Sequence, residues 1–457
     1  MVLLRPDLQR VAPTPGWVLP LFGAHAAIGV ASHFANVPGQ VHVAVTTAVA
    51  LWAMVTRSSP LTVAAVTAYV VGSEVFWRMT EAGAWEQARY LSILLLTVGL
   101  IRHGRVTPVL NLAAVYLAAL LPGLVFTVLR LGPSEARRPV VFNMLGPLLL
   151  MLAVAYFASL RASGTDLRTV LWAITAPIFA IAARAAWILV TEDVVFISDS
   201  NAATAGGFGP NQVSGILGLG FVTLVVLSFL EIARRTRILF SLLALWMIVQ
   251  ASLTFSRGGV LSAVIAVAVG VVPLARSARV SVERVAWLLA AGAILALVLV
   301  PRLDQYTGDL LVDRFTDLDQ SGRGDIVDRD LAIWGENRLT GVGVGMSGDQ
   351  DMDPATRGMA AHSEYSRLLA EHGVAGLIAL GALIGMVLLA WRRRLTLLGG
   401  AFTLIMTVWS ITEMQHAAMR IAAISFVFGL GMLQVEDEAR PPTVRISRSM
   451  TRTGDRA

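Results

Sequence analysis

Apolar residues run through this chain in long unbroken blocks, separated by short clusters of arginine, glycine and proline. A helix needs about 20 such residues to cross a bilayer. The blocks predict about 14 spans, at roughly 16–35, 41–56, 60–78, 89–102, 108–129, 139–160, 167–190, 211–231, 237–255, 259–275, 284–300, 373–391, 395–412 and 417–434. They are continuous rather than alternating, which excludes a barrel, whose strands turn successive residues to opposite faces. The expected fold class is therefore an all-α polytopic membrane protein. It divides into N-terminal transmembrane helices (1–190), central helices (191–300), a long outer loop (301–372), C-terminal helices (373–434) and a basic tail (435–457). The loop far exceeds a simple connection and carries tryptophan, glycine turns and a helical pattern, so partial folding is expected there. The tail is polar and arginine-rich and reads as disordered.

Composition sharpens this picture. Of 457 residues, 56% are hydrophobic and only 14% charged, with mean hydropathy +0.70; soluble domains carry about 25% charged residues. There is no cysteine, which excludes disulfides, thiolate metal sites and a cysteine nucleophile. All 36 basic residues are arginine, so Schiff-base chemistry on lysine is excluded too. The net charge of +6 calls for no nucleic acid, because the excess lies in short loops and the tail, where arginine sets orientation. Under strict alternation Arg57, Arg102, Arg105, Arg161, Arg168, Arg234, Arg276, Arg392 and the tail arginines share one side. The positive-inside rule makes that side cytoplasmic, with both termini inside. No cleaved leader is expected, because the first apolar stretch is long enough to remain as a helix.

Ionisable groups in or beside spans are costly and default to functional hypotheses. The mixed acids and bases gather at the opposite, outer face: Glu74 and Arg78 one turn apart, Glu86 and Arg89, Arg184, Arg257 in "TFSRGG", and Glu413 and His416. Glu74 and Arg78 can simply neutralise each other, and Arg184 can act as interhelical glue. Arg257 stands at a turn before two glycines that would let a bulky ligand approach the backbone. "GVGMSG" (343–348) matches a dinucleotide fingerprint but lacks the strand and helix that it needs. "DQDMD" (349–353) spaces carboxylates like the start of a calcium loop, yet lacks its turn glycine and closing glutamate. His372 reads as an interface residue. His362 would head a short helix, since His362, Tyr365 and Leu369 fall at helical spacing. Imidazole is the group best placed to exchange a proton near neutrality. A histidine with Arg257 and Arg323 suggests proton transfer beside an anion.

Three segments in order, "TFSRGG", "SGRGDIVDRDLAIWGENRLTGVGVG" and "HSEYSRLLAEHGVAG", resemble the O-antigen ligase and O-antigen polymerase superfamily of bacterial envelope glycosyltransferases. "GFGPNQ" (207–212) is similar to an asparagine-containing outer turn of that family. The resemblance spans about 195–395. It departs from the family pattern at Ser363, where the family has asparagine, and at Leu339, where it has proline. It implies a fold like the C-type glycosyltransferases and a glycan donor on undecaprenyl pyrophosphate at the outer leaflet of the bacterial inner membrane. It implies no cofactor and no metal. On the matching positions it implies that His362 is catalytic, most simply as the base for the acceptor hydroxyl. Arg257 and Arg323 would bind the pyrophosphate, for which guanidinium forks are suited. Glu364, Tyr365, Ser363 and Asn211 would support these groups or contact the acceptor. The acceptor would be a glycan or a lipid, and a chain-length regulator is an expected partner.

Two classes of function stay open on the residues. One is glycan transfer, as polymerase or ligase, with the polymerase favoured by the number of spans and by a composition that suggests a high-GC bacterium. The other is a transporter or flippase for a polyprenyl-linked glycan. That reading predicts paired halves and ionisable sites near the bilayer midplane, whereas the charged groups here collect at the outer face. A sensor or scaffold would need a soluble domain larger than the loop and tail supply.

Overall fold

The protein is described by a computed structural model covering residues 14–231, 233–275, 286, 290, 292–317, 323–348, 363–417 and 419–436. Its helices, in chain order, are α1 Val18–Phe34, α2 Val37–Val55, α3 Pro60–Met79, α4 Gln87–His103, α5 Pro108–Leu131, α6 Pro133–Ala158, α7 Gly164–Thr191, α8 Pro210–Leu230, α9 Arg234–Leu253 and α10 Arg257–Ala275. They continue with α11 Val300–Tyr306, α12 Leu310–Thr316, α13 Arg323–Glu336, α14 Glu364–His372, α15 Val374–Arg392, α16 Leu397–Ala417 and α17 Ala422–Leu430. The helical membrane class read from the sequence is borne out. Two short strands add to it: β1 Arg161–Ala162 and β2 Gln434–Val435 pair in parallel.

Local chemistry sets many of the boundaries. Proline opens α3, α5, α6 and α8, where its missing N–H costs nothing. Ser59 caps α3 by accepting from the Thr62 amide at 3.1 Å, and Ser163 with Asp166 forms a reciprocal capping box at the start of α7.

Among the described residues, ten helices are long and apolar enough to cross a membrane: α2, α3, α5 to α10, α15 and α16. The apolar α1 and the more polar α4 have 17 residues each, and α17 has only 9. The expected span at 284–300 is described at 286, 290 and 292–300, and it includes a π-helical turn, Leu295–Leu299, that runs into α11. The last expected span, 417–434, takes a different form. α16 ends at Ala417, and the short buried α17 begins at Ala422. The physical reason is a cluster of charges that hydrogen-bonds the backbone at Arg420 and Ala422, described below.

α8 is the centre of the bundle: 94% of its most apolar window is buried. It is hydrophobic on every side, as a helix with no lipid-facing surface should be. α7 packs against α1, α3 and α8, and α10 lies along α16. The outward faces of α2, α5 and α15 expose valine, leucine and isoleucine, for example Val45, Val125 and Ile384, which is the surface expected against lipid tails.

Candidate active site

The turn between α9 and α10 is a constrained piece of backbone. Phe255 is completely buried and has φ 57°, in the left-handed region. A bulky side chain adopts that conformation only when its surroundings over-determine it. Here they do. Arg314 donates from Nε to the Phe255 carbonyl at 3.2 Å, Ser214 donates to the Ser256 carbonyl at 2.7 Å, and the Thr254 hydroxyl accepts from the Ser256 amide at 3.2 Å. Ser256 in turn donates to Oδ1 of Asn211 at 2.8 Å. The next residue is Arg257, the first of α10, half-buried, with Nη1 donating to the Asp317 carbonyl just after α12. The structure thus brings Asn211 and Arg257 to one turn, although they are 46 positions apart in the sequence.

The two glycines after Arg257 serve a different purpose from the one expected. A Cβ on Gly258 would lie 2.8 Å from Cβ of His416, and one on Gly259 would lie 2.2 Å from the Ser214 carbonyl. They admit α16 and α8 against α10 rather than a ligand against the backbone. Gly218 completes this contact on α8, where a Cβ would meet the Gly259 carbonyl at 2.4 Å. Close approach of small residues is how membrane helices lock together.

The last turns of α16 then bridge this turn to α14. His416 packs on Gly258, and its neighbour Gln415 accepts from the Ser363 hydroxyl at 3.1 Å. Tyr365 donates to the Ile411 carbonyl at 2.6 Å. Ser363 occupies the N-cap position of α14 but makes no side-chain cap bond, so its hydroxyl is committed to α16. Glu413 is not at an outer turn, as the sequence suggested. It is buried inside α16, against Gly215 of α8.

Glu364 has no exposed surface and faces the other way. It pairs with Arg367, which also holds Glu371 at 2.6 Å. Ser366 donates to the buried Asp330 of α13 at 2.8 Å, fixing α13 to α14. Burial is the largest influence on Glu371 and pushes its carboxyl up to about 7, even though Arg367 opposes it. His372, expected at an interface, is fully packed, with its ring against Gly123 of α5. Burial lowers it to about 3, so it is neutral. Burial likewise raises Tyr365 above the usual phenol range.

The "GVGVG" turn also turns out to be structural. Gly341, Gly343 and Gly345 all have positive φ. The amides of Val342 and Gly343 donate to the Ala370 and Glu371 carbonyls at 3.0 Å, and Thr127 of α5 donates to the Val344 carbonyl at 3.1 Å. The turn stitches the end of α14 to α5, beside α6.

Next to Asn211 stands Gln212, which accepts from Arg78 at 2.9 Å. Arg78 belongs to a foursome in which Glu74, Arg78 and Arg89 are buried and Glu86 is half-buried. It meets Glu74 at 2.6 Å, and Arg89 meets Glu86 at 3.0 Å and Glu74 at 3.7 Å. The group also grips the break between α16 and α17. Arg78 and Arg89 both donate to the Arg420 carbonyl, and Glu74 accepts from the Ala422 amide at 2.5 Å. The pairing of Glu74 with Arg78 read from the sequence is present, and the pair also hydrogen-bonds the backbone between α16 and α17. Arg184 donates to the Ser32 hydroxyl at 3.1 Å and to the Gly206 carbonyl, consistent with interhelical glue.

His362 and the carboxylates 349–353 lie outside the described residues. Arg323 opens α13, but its side chain is not described. The residues that sequence reasoning missed are Arg314, Ser256, Gln212 and Gln415. Arg314 carries one sequence signal, its helical spacing from Leu311, which is also buried. The others carry no sequence signal, because their partners come from remote helices.

No curated protein matches the chain. Residues 242–381 match the O-antigen ligase family. That stretch contains Arg257, Arg323 and His362 to Tyr365, and leaves Asn211 and the first half of the chain outside. The resemblance to the O-antigen ligase and polymerase superfamily is thus supported over the segment that holds the strained turn, α13 and α14: this is a multi-pass membrane protein carrying an O-antigen ligase family region.

Proposed function

We propose that the chain is an integral-membrane glycosyltransferase that moves a glycan from undecaprenyl pyrophosphate to a hydroxyl acceptor, as a polymerase of an O-antigen-like or exopolysaccharide chain. The observation that carries this reading is the strained turn at Phe255, which fixes Arg257 beside Asn211 while α16 ties the same corner to Ser363, the sequence neighbour of His362. Strain of this kind collects at functional sites. In this reading Arg257 and Arg323 neutralise the pyrophosphate and so make it a better leaving group. His362 takes the proton of the attacking acceptor hydroxyl. Positioning and electrostatics supply most of the acceleration, since the lipid pyrophosphate is already activated. Tyr365 and Ser363 hold the first turn of α14 on α16, and Asn211 holds the arginine turn. The corner opens to the extracytoplasmic side, with both termini in the cytoplasm, as the arginine distribution indicates.

The test is a purified assay with lipid-linked glycan. His362→Ala abolishes transfer while the protein stays folded, and Arg257→Ala and Arg323→Ala weaken use of the donor. Full activity of the histidine variant would overturn the catalytic assignment. A ladder of lengthening lipid-linked chains identifies a polymerase, whereas a single transfer to another lipid or a protein identifies a ligase. Movement of the intact donor across vesicles, without transfer, would favour a flippase.

A further inference from the structure

At the end of the bundle away from Arg257 the helices part around a cavity of about 760 Å³. The distance between the two ends is the length of α3, which starts at the cavity with Pro60 and reaches the candidate site with Arg78, about 27 Å at 1.5 Å per residue. Arg102, Arg105 and Arg161 make the rim cationic, and His103 joins them against one carboxylate, Asp166. That carboxylate is already committed, accepting from the Ser163 amide and hydroxyl at 3.0 and 2.9 Å. Arg102 and His103 are anchored on backbone carbonyls of Thr56 and Ser58 at the end of α2 and just beyond it. Arg161 meets Glu436 at 3.2 Å in an exposed pair. Arg105 has no ion pair or hydrogen bond among the described residues. The first turn of α3 also lines the cavity, with the partial positive charge of a helix start. The floor is apolar and deep: Phe157, Val170 and Leu433 are all buried.

We propose that this cavity binds the head group of an anionic phospholipid, its phosphate between Arg105 and Arg161 and its glycerol and first methylenes on the apolar floor. Two features choose a lipid over a free phosphate ion. An ion gains nothing from Phe157, Val170 and Leu433, and the cavity is much larger than an ion requires. Basic pockets between helices at a membrane surface are suited to such head groups. The site would fasten α3, α4, α6 and α7 together at the end opposite the reacting groups.

The protein is reconstituted in nanodiscs of zwitterionic phosphatidylcholine containing a minority of phosphatidylglycerol, and retained lipid is counted by native mass spectrometry. Selective, saturable retention of phosphatidylglycerol is expected. Arg105→Gln and Arg161→Gln should each weaken it about fivefold, the factor for about 1 kcal/mol per arginine at an anionic surface. Both side chains are exposed, so the variants should fold, and glycan transfer in the presence of excess lipid should persist. Equal retention of both lipids, or variants that retain phosphatidylglycerol like the parent, would overturn the proposal. So would displacement of the lipid by millimolar inorganic phosphate alone, which would make the occupant a free ion.

Discussion

Arg314 donates from Nε to the carbonyl of Phe255 at 3.2 Å while its Nη1 meets Asp199 at 3.0 Å. One buried guanidinium on α12 thus reaches both Asp199 and the left-handed residue two positions before Arg257. Arg314→Met should keep the volume and lose the clamp. Misplacement of a binding group by about 1 Å can cost on the order of a hundredfold in rate. Transfer should therefore fall by about tenfold to a hundredfold, with an unchanged melting profile within a few degrees. A variant with full transfer activity would separate the strained turn from function.

The foursome of Glu74, Arg78, Glu86 and Arg89 is balanced, so removing one partner leaves a buried charge uncompensated. Arg78→Met should destabilise the protein by about 3–5 kcal/mol. By contrast, Glu436→Ala removes an exposed pair with Arg161 and should change stability by about 0–1 kcal/mol. Thermal unfolding in detergent or nanodiscs ranks the two, and a reversed order would refute the burial argument.

Gly259 and Gly381 offer a matched comparison within membrane helices. At Gly259 an added Cβ would meet the Ser214 backbone at 2.2 Å, whereas at Gly381 nothing lies within 4 Å. Gly259→Ala should force α8 and α10 apart at a cost of about 1–3 kcal/mol and displace Arg257. Gly381→Ala should be neutral or stabilising by about 0.5–1 kcal/mol. Melting temperature and transfer rate, measured together, check both.

Glu371 titrates at about 7 in the folded protein because it is buried, against 4.5 when exposed. Between those values the folded state holds a proton that the unfolded chain has released. Its contribution to stability is therefore fully present below pH 4.5 and is lost as pH rises through about 7. Glu371→Gln should flatten the fall in stability between pH 5 and pH 8, and an unchanged slope would assign the dependence elsewhere.

Covalent order and hydrophobic length determined a great deal here without any coordinates. Unbroken apolar blocks cannot shed their backbone polar groups into lipid, so they must be helices, and among the described residues ten of them are long enough to span. The order of the Arg257 turn, the helix opened by Arg323 and the helix that begins at Glu364 was legible too, because motif order is a property of the chain itself. Tertiary packing alone decided the rest. It turned Gly258 and Gly259 into seats for α16 and α8, and Glu364 into a partner of Arg367. It set Arg314 under Phe255 and broke the last apolar block at Arg420. Each of these depends on two helices remote in sequence meeting at a few ångströms. A periodicity says which face of a helix is apolar, but not which neighbour that face will find.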